Sequence, residues 1–187
     1  MKRELKFGAM QEIENRYSSL YFSDESIPQE DVEAIMEAAL SAPNAFNEQP
    51  WRFYVATEEE DRTLLLEYMT PGNALWAKKA PVLIVVAADI YGTHDRTFNY
   101  WNAFDAGCAW GYLSLEAQRR GYVTHCIGGF DRHDIKREFA IPDPDNVDFF
   151  GIIALGKLDE AAAKSETEMS KRKSLAEVSF LRRKPIV

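Results

Sequence analysis

The run Ala42-Pro43-Asn44-Ala45-Phe46-Asn47-Glu48-Gln49-Pro50-Trp51 separates two different hydrophobic periods. Before it, Val32, Ile35, Met36, Ala39 and Leu40 recur at helical spacing. Pro28 falls in the first turn of that helix, where its missing N–H costs little. Glu30 and Asp31 suit the positive end of the helix dipole, and Pro43 ends the helix. After the run, residues 51–57 alternate and are aromatic or β-branched, so they read as a strand. Asn44, Asn47 and Gln49 place amide donors and acceptors on the intervening loop, matched to the edge of a planar heterocycle or a polyol chain. An Asx-rich turn would use the same residues.

Working outward, residues 4–15 read as a first helix and 16–22 as a brief extended segment. A polar helix over 58–69 is broken by Pro71-Gly72-Asn73, and a short helical piece leads to an apolar strand over 81–89. Residues 97–120 form the longest helix candidate. Trp101, Phe104, Cys108, Tyr112 and Leu115 line one face of it. Ala109, Leu113 and Ala117 widen that face, which predicts a helix buried on most sides. A strand over 122–127 ends at Gly128-Gly129, Asp131 caps a helix over 132–139, and a buried strand spans 149–155. Residues 158–173 are a charged connection, and 178–181 read as a final strand. Helices and strands mix without a βαβ rhythm, which predicts an α+β fold. The chain reads as one domain over 1–187. An apolar segment after a long polar connection suggests a C-terminal arm that pairs with a partner subunit; a frayed tail is the plainer alternative.

The 187 residues carry a net charge of −8, which disfavours a nucleic-acid partner. No apolar run approaches the roughly 18–20 residues of a membrane span, and residues 1–6 do not read as a secretory signal. Cys108 and Cys126 lack CxxC spacing, which disfavours a disulfide framework or a zinc site and suggests a reducing cytoplasm. Both thiols read as small buried apolar groups. His94, His125 and His133 are scattered and read as surface or satisfied histidines. No Walker A loop, GxGxxG, G-x-S-x-G or HExxH occurs. An enzyme built this way leaves its hard chemistry to a bound cofactor.

Three segments offer contacts for one. Arg16-Tyr17-Ser18 joins a guanidinium to hydroxyls, which suits a phosphate, although a surface arginine is the commoner use of such a triplet. The 42–51 loop is the second. In the third, Ile127-Gly128-Gly129-Phe130-Asp131, a glycine pair at a strand end lets backbone N–H groups approach a ligand; a simple turn competes. Basic clusters at Lys171-Arg172-Lys173 and Arg182-Arg183-Lys184 fit either a solvated tail or an anion site.

The ordered set resembles the nitroreductase family. Arg16-Tyr17-Ser18-Ser19-Leu20-Tyr21-Phe22 is similar to its Arg-Arg-Ser-x-Arg-x-Phe signature, and the 42–51 loop to its Ala-Pro-Ser-x-x-Asn-x-Gln-Pro-Trp. Residues 80–85, Asp105-Ala106-Gly107, Gly121-Tyr122, 127–131, 153–156 and 172–178 follow in the family's order.

The resemblance implies an α+β sandwich with a mostly antiparallel central sheet flanked by helices. It also implies a homodimer, two FMN sites at the subunit interface, and NAD(P)H as co-substrate. Arg16, Tyr17 and Ser18 would hold the phosphate and ribityl end, with Arg172 and Lys173 as further phosphate cations. Pro43, Asn44, Asn47 and Gln49 would meet the flavin from the proline-rich loop, and Ile127, Gly128 and Gly129 would line its reactive edge. Leu20 stands where the family has a cation near the pyrimidine end of the ring; unless Arg52, Lys78 or Lys79 reaches the same spot, the reduced flavin has one less stabilising charge. Trp76, Phe98, Tyr100 and Trp101 could line a flat substrate slot or pack in the core. The implied activity is hydride transfer from NAD(P)H to a small organic substrate such as a nitroaromatic or quinone. Flavin reduction, dehalogenation, flavin breakdown, or a flavin-binding role with little turnover are the alternatives on the same fold.

Overall fold

The computed structural model describes residues 2–93, 96–165, 169–181 and 184–185. His94, Arg182 and Arg183 lie outside them.

The helices are α1 (Gln11–Asn15), α2 (Gln29–Leu40), α3 (Glu59–Glu67), α4 (Pro71–Ala77), α5 (Asn102–Arg119) and α6 (Leu175–Val178). The strands are β1 (Trp51–Ala56), β2 (Val82–Asp89), β3 (Val123–Ile127), β4 (Val147–Gly156), β5 (Phe180–Leu181) and β6 (Lys184–Pro185). Strands β1 to β4 form one sheet in the order β1-β2-β4-β3, antiparallel throughout. The β2–β4 register shifts between Val86 and Ala87.

Strand β2 is buried along its whole length because both faces of the sheet are covered. Val82, Ile84, Val86 and Ala88 pack with Val32, Ile35 and Ala39 of α2 and with Ala106, Ala109, Leu113 and Ala117 of α5. Leu83, Val85 and Ala87 face Leu65 of α3, Met69 and Ala77 of α4. The result is the expected α+β sandwich of helix layer, sheet and helix layer. The segment before α2 adds an edge pairing: Phe22 bridges Leu158, with Ser23 N donating to Lys157 O at 2.9 Å.

Several expected boundaries move. The helix expected over 4–15 is confined to Gln11–Asn15, because Gly8 adopts φ +70° and its N–H turns back to Leu5 O at 3.1 Å. Pro71 starts a helix rather than only breaking one, in keeping with the preference of proline for the first helical turn. The long helix begins at Asn102, not 97, because Gly92 N bonds Thr97 O and Asn99 N bonds Ile90 O at 2.9 and 2.8 Å, folding the preceding chain into a turn. The 132–139 helix is reduced to a 3-10 turn over Ile135–Glu138; Asp131 Oδ1 still accepts from His133 N and Asp134 N, both at 3.0 Å.

Val178 ends helix α6 rather than beginning a strand. Glu177 Oε2 accepts from Ser174 N and Oγ at 2.8 and 2.7 Å, so a capping pair winds this segment. Only Phe180–Leu181 is extended, and it pairs with Lys184–Pro185 of the same chain.

Helix α5 is not buried on most sides. Its small residues face the sheet, whereas Trp101 just before it is 52% exposed, Phe104 71% and Tyr112 43%. Of the two thiols read as buried, Cys108 is half-buried and Cys126 is exposed on the edge strand β3.

Candidate functional site

Three guanidinium groups gather where α1 ends. Arg16 follows the helix directly, its N–H donating to Glu12 O at 2.8 Å, and its side chain is half-buried. Arg3 is held by its backbone, whose N–H donates to Glu14 O at 2.7 Å. Its Nη1 reaches Ser170 O at 3.0 Å, and Arg172 Nη1 donates to that same oxygen at 3.1 Å. Burial first, then the charges of Arg172 and Arg3, hold the Arg16 guanidinium below its ordinary pKa. Arg3 is lowered in the same way by burial and Arg172. Among the described residues none of the three pairs with a carboxylate. Arg3, Arg172 and Lys173 line one groove of about 1000 Å³ with Lys2, Lys6 and Lys171. Glu4 lines the same groove, so six cations there face one carboxylate among the described residues, an excess of positive charge that suits an anion. Arg172 thus comes near enough to Arg16 to repel its charge, and Tyr17 and Ser18, next to Arg16 in the chain, are half-buried and exposed. Arg3 was missed, and nothing in its local sequence marks it.

Leu20 is 43% exposed and lines a different cavity, of about 810 Å³, with Phe22, Trp76, Lys79 and Leu158. Of the three cations considered for this place, Lys79 shares it. Arg52 is engaged with Asp89, and Lys78 lines a separate groove with Arg62. Trp76, which lines the cavity with Leu20, stacks on Phe22 at 6.0 Å and packs at a tilt on His125 at 4.7 Å. His125 is satisfied, its Nδ1 standing 3.0 Å from Ser19 O.

The glycine pair divides its roles. Ile127 is buried and Gly128 is exposed; a side chain on Gly128 would meet nothing within 4 Å. The backbone there is open to close approach. At Gly129 a β-carbon would come within 2.7 Å of Asn73 Nδ2. Its carbonyl accepts from Thr70 N at 3.0 Å and Asn73 Nδ2 at 3.3 Å, so the start of α4 holds this turn. Thr70 and Asn73 were not anticipated as supports of this turn.

In the proline-rich loop, Asn44 acts within the loop itself. Its Oδ1 accepts from Gln49 N at 2.9 Å and its Nδ2 donates to Ala42 O at 3.3 Å, the Asx-turn alternative. Pro43, Asn47 and Gln49 are exposed. Phe46, Asn47 and Gln49 take left-handed φ values of 54°, 58° and 47°, which for non-glycine residues stores strain on the order of 1–3 kcal/mol each. The loop is pinned to α5 by Ala45 N donating to Asp105 Oδ2 at 3.1 Å. Phe46, 90% exposed, shares a cavity of about 670 Å³ with Phe98, Tyr100 and Trp101. Three of the four slot aromatics are thus solvent-facing. The groove that holds Arg3 and Arg172 is lined by residues 2–6 and 169–174, and the cavity at this loop by Phe46, Glu48, Gly92 and residues 97–101.

Among the described residues no group of His, Cys, Asp and Glu could hold a metal ion, and no helix is long and apolar enough to cross a membrane.

The sequence profile of the nitroreductase family matches residues 13–74 and 61–157. An uncharacterized 15.4 kDa protein of Mycolicibacterium smegmatis is 38% identical over 65% of this chain and 83% of its own length. A protein of Archaeoglobus fulgidus with the provisional name NADH dehydrogenase/NAD(P)H nitroreductase is 32% identical over 77% of this chain and 82% of its own. A crystal structure described as an oxidoreductase containing FMN superposes with a TM-score of 0.87 at 33% identity, covering 95% of this chain and 93% of that one. With the family profile spanning the sheet, α5 and the 42–51 loop, the chain belongs to the nitroreductase family and is a nitroreductase-like oxidoreductase.

Proposed function

We propose that this protein binds FMN, takes hydride from NAD(P)H and reduces a flat organic second substrate of the nitroaromatic or quinone kind. The observation that carries the reading is that Arg172, far away in sequence, comes near enough to the half-buried Arg16 to repel its charge, at the edge of a groove lined by six cations and one carboxylate, with neither arginine ion-paired among the described residues. That donor set fits a phosphate monoester. Arg16 and Arg172 would hold the phosphate with Lys173 nearby, and Tyr17 and Ser18 would add hydroxyl donors. Gly128 leaves room for the ring edge to approach the backbone, with Ile127 and Gly129 fixing the turn. Bound FMN would supply the hydride chemistry. The protein supplies orientation, exclusion of water and fixed charge.

The whole chain acts as one domain in this reading, and two copies assemble with the cofactor between them. Support comes from the exposed Trp101, Phe104 and Tyr112, an apolar face that a partner would cover. Pro43, Asn44, Asn47 and Gln49 would reach the flavin from the proline-rich loop. Residues 158–187 serve as the connection and the arm. Obligate interfaces of this type bury more than about 2,000 Å². Removing residues from 174 onward should weaken the dimer and FMN binding together; unchanged mass and affinity would remove the arm from the account.

Anaerobic stopped-flow mixing with NADH or NADPH tests turnover. Fast bleaching of the flavin band, followed by reoxidation with a quinone, is the expected result. Slow or absent bleaching with both nucleotides would make the protein a flavin carrier instead.

A further inference from the structure

We infer that Arg3, on the N-terminal strap, is a third ligand of the cofactor phosphate, completing with Arg16 and Arg172 a three-guanidinium site. The inference rests on the FMN reading above and adds a residue outside every motif that led to it.

The geometry is specific. Arg3 Nη1 and Arg172 Nη1 donate to the same oxygen, Ser170 O, at 3.0 and 3.1 Å. Two groups bonded to one atom at those lengths lie no more than about 6 Å apart, so the two positive heads face the same small volume. A guanidinium has five N–H donors, and the Ser170 bond uses one from each. Several donors remain on each head for a phosphate monoester, whose oxygens can accept from more than one fork.

The strap is built to keep Arg3 there. Glu14, buried at the edge of α1, fastens it at three points. Lys2 Nζ pairs with Glu14 Oε2 at 2.8 Å, Ala9 N donates to Glu14 Oε1 at 3.1 Å, and Arg3 N donates to Glu14 O at 2.7 Å. Gly8, at φ +70°, makes the turn that returns the chain to α1. Residues 2–9 therefore form a closed loop pinned to α1 at one side and, through Arg3, to Ser170 at the other. Glu14 is a positioning residue; Arg3 is the ligand.

Placing three like charges together costs free energy that a bound anion recovers. Burial and mutual repulsion depress the affinity of Arg3 and Arg16 for their own protons, consistent with a site built for a multiply charged ligand.

The test uses purified holoprotein without an N-terminal tag. Release of FMN on dilution is followed by recovery of free-flavin fluorescence, and riboflavin binding is measured in parallel. Arg3→Ala should weaken FMN binding roughly tenfold, the scale of one charged hydrogen bond, and Arg3→Glu more. Riboflavin affinity should change less than about twofold in both. Glu14→Gln should show the same selective loss, smaller in size. The preference for NADPH over NADH should not move, which separates the FMN phosphate from the 2′-phosphate of the nucleotide. FMN binding equal to wild type in both Arg3 variants would overturn the inference, as would equal losses for riboflavin and FMN, or a change confined to the NADPH preference. A wild-type protein that binds no FMN would overturn the parent reading and this one with it; wild-type binding with indifferent Arg3 variants overturns this one alone.

Discussion

Ala45 and Asp105 are joined by a 3.1 Å hydrogen bond from backbone N–H to carboxylate across 60 positions of sequence. Asp105 is 1% exposed, in the first turn of α5, where the helix dipole favours its charge. It thereby fixes the strained 42–49 loop relative to the helix whose outer face is apolar. Asp105→Ala should cost about 1–3 kcal/mol, the range for stranding a buried donor. Asp105→Asn, which keeps an acceptor, should cost less. Denaturant unfolding reads both; equal stability in Asp105→Ala and wild type would show that the loop is held by other bonds.

Arg16→Ala and Arg172→Ala should each weaken FMN binding by about 1.5–3 kcal/mol and leave riboflavin nearly unaffected. The flavin-free protein should respond in the opposite sense. Removing one of three mutually repelling cations should keep or raise its melting temperature. A mutant that lost FMN and riboflavin alike, with a lower flavin-free melting temperature, would assign the arginines a purely structural role.

Leu20 is solvent-facing, so an arginine can be placed there without entering the core. With one added, partly screened charge worth on the order of 1–2 kcal/mol, Leu20→Arg should raise the flavin midpoint potential by roughly 20–45 mV. Lys79 lines the same cavity, and Lys79→Ala should lower the potential by a comparable amount. Redox titration decides both. A folded Leu20→Arg protein with an unchanged or lower potential would place the flavin ring elsewhere.

Asp31 of α2 ties that helix to the end of α5. It accepts from the Tyr122 hydroxyl at 2.6 Å and pairs with Arg120. The Tyr122 hydroxyl bond, then Arg120, holds the Asp31 carboxyl below its ordinary value. The unfolded chain therefore takes up the proton first as pH falls. The contribution of Asp31 is complete above about pH 4 and is lost as pH falls through the depressed folded value. Tyr122 shifts the other way, pushed up to about 12 by burial and then by Asp31. Its contribution is complete below about pH 10 and is lost as pH rises through the folded value. Asp31→Asn should flatten the acid limb of the stability profile. Tyr122→Phe should remove one ionisation near pH 12 from the ultraviolet tyrosinate titration. A titration unchanged by that substitution would break the latch.

Much of this arrangement was legible in the residues. The helical spacing of Val32 to Leu40 and the apolar run around Val82–Asp89 placed α2 and β2 within a residue or two, because periodicity reports directly which face is buried. The aromatic side of α5 misled for the same reason. Trp101, Phe104 and Tyr112 repeat at helical spacing as core residues do, and sequence alone does not distinguish a buried apolar face from an exposed one. Gly8, Asp131 and the Ser174–Glu177 pair shortened or created elements through single turns that periodicity does not register, although Ser174-x-x-Glu177 carried a capping signature. Within the site, Arg16 and Arg172 came from motif order. Arg3 could be placed only by the fold, since its partner Ser170 lies 167 positions away.

Cofactor identity is read from the absorbance spectrum of the purified protein, followed by denaturation and chromatography of whatever it releases. The purified protein should be yellow, with a flavin band, and should release FMN and not FAD in near one-to-one amount per chain. A colourless protein that also fails to take up added FMN, with Arg3, Arg16 and Arg172 intact, would contradict it.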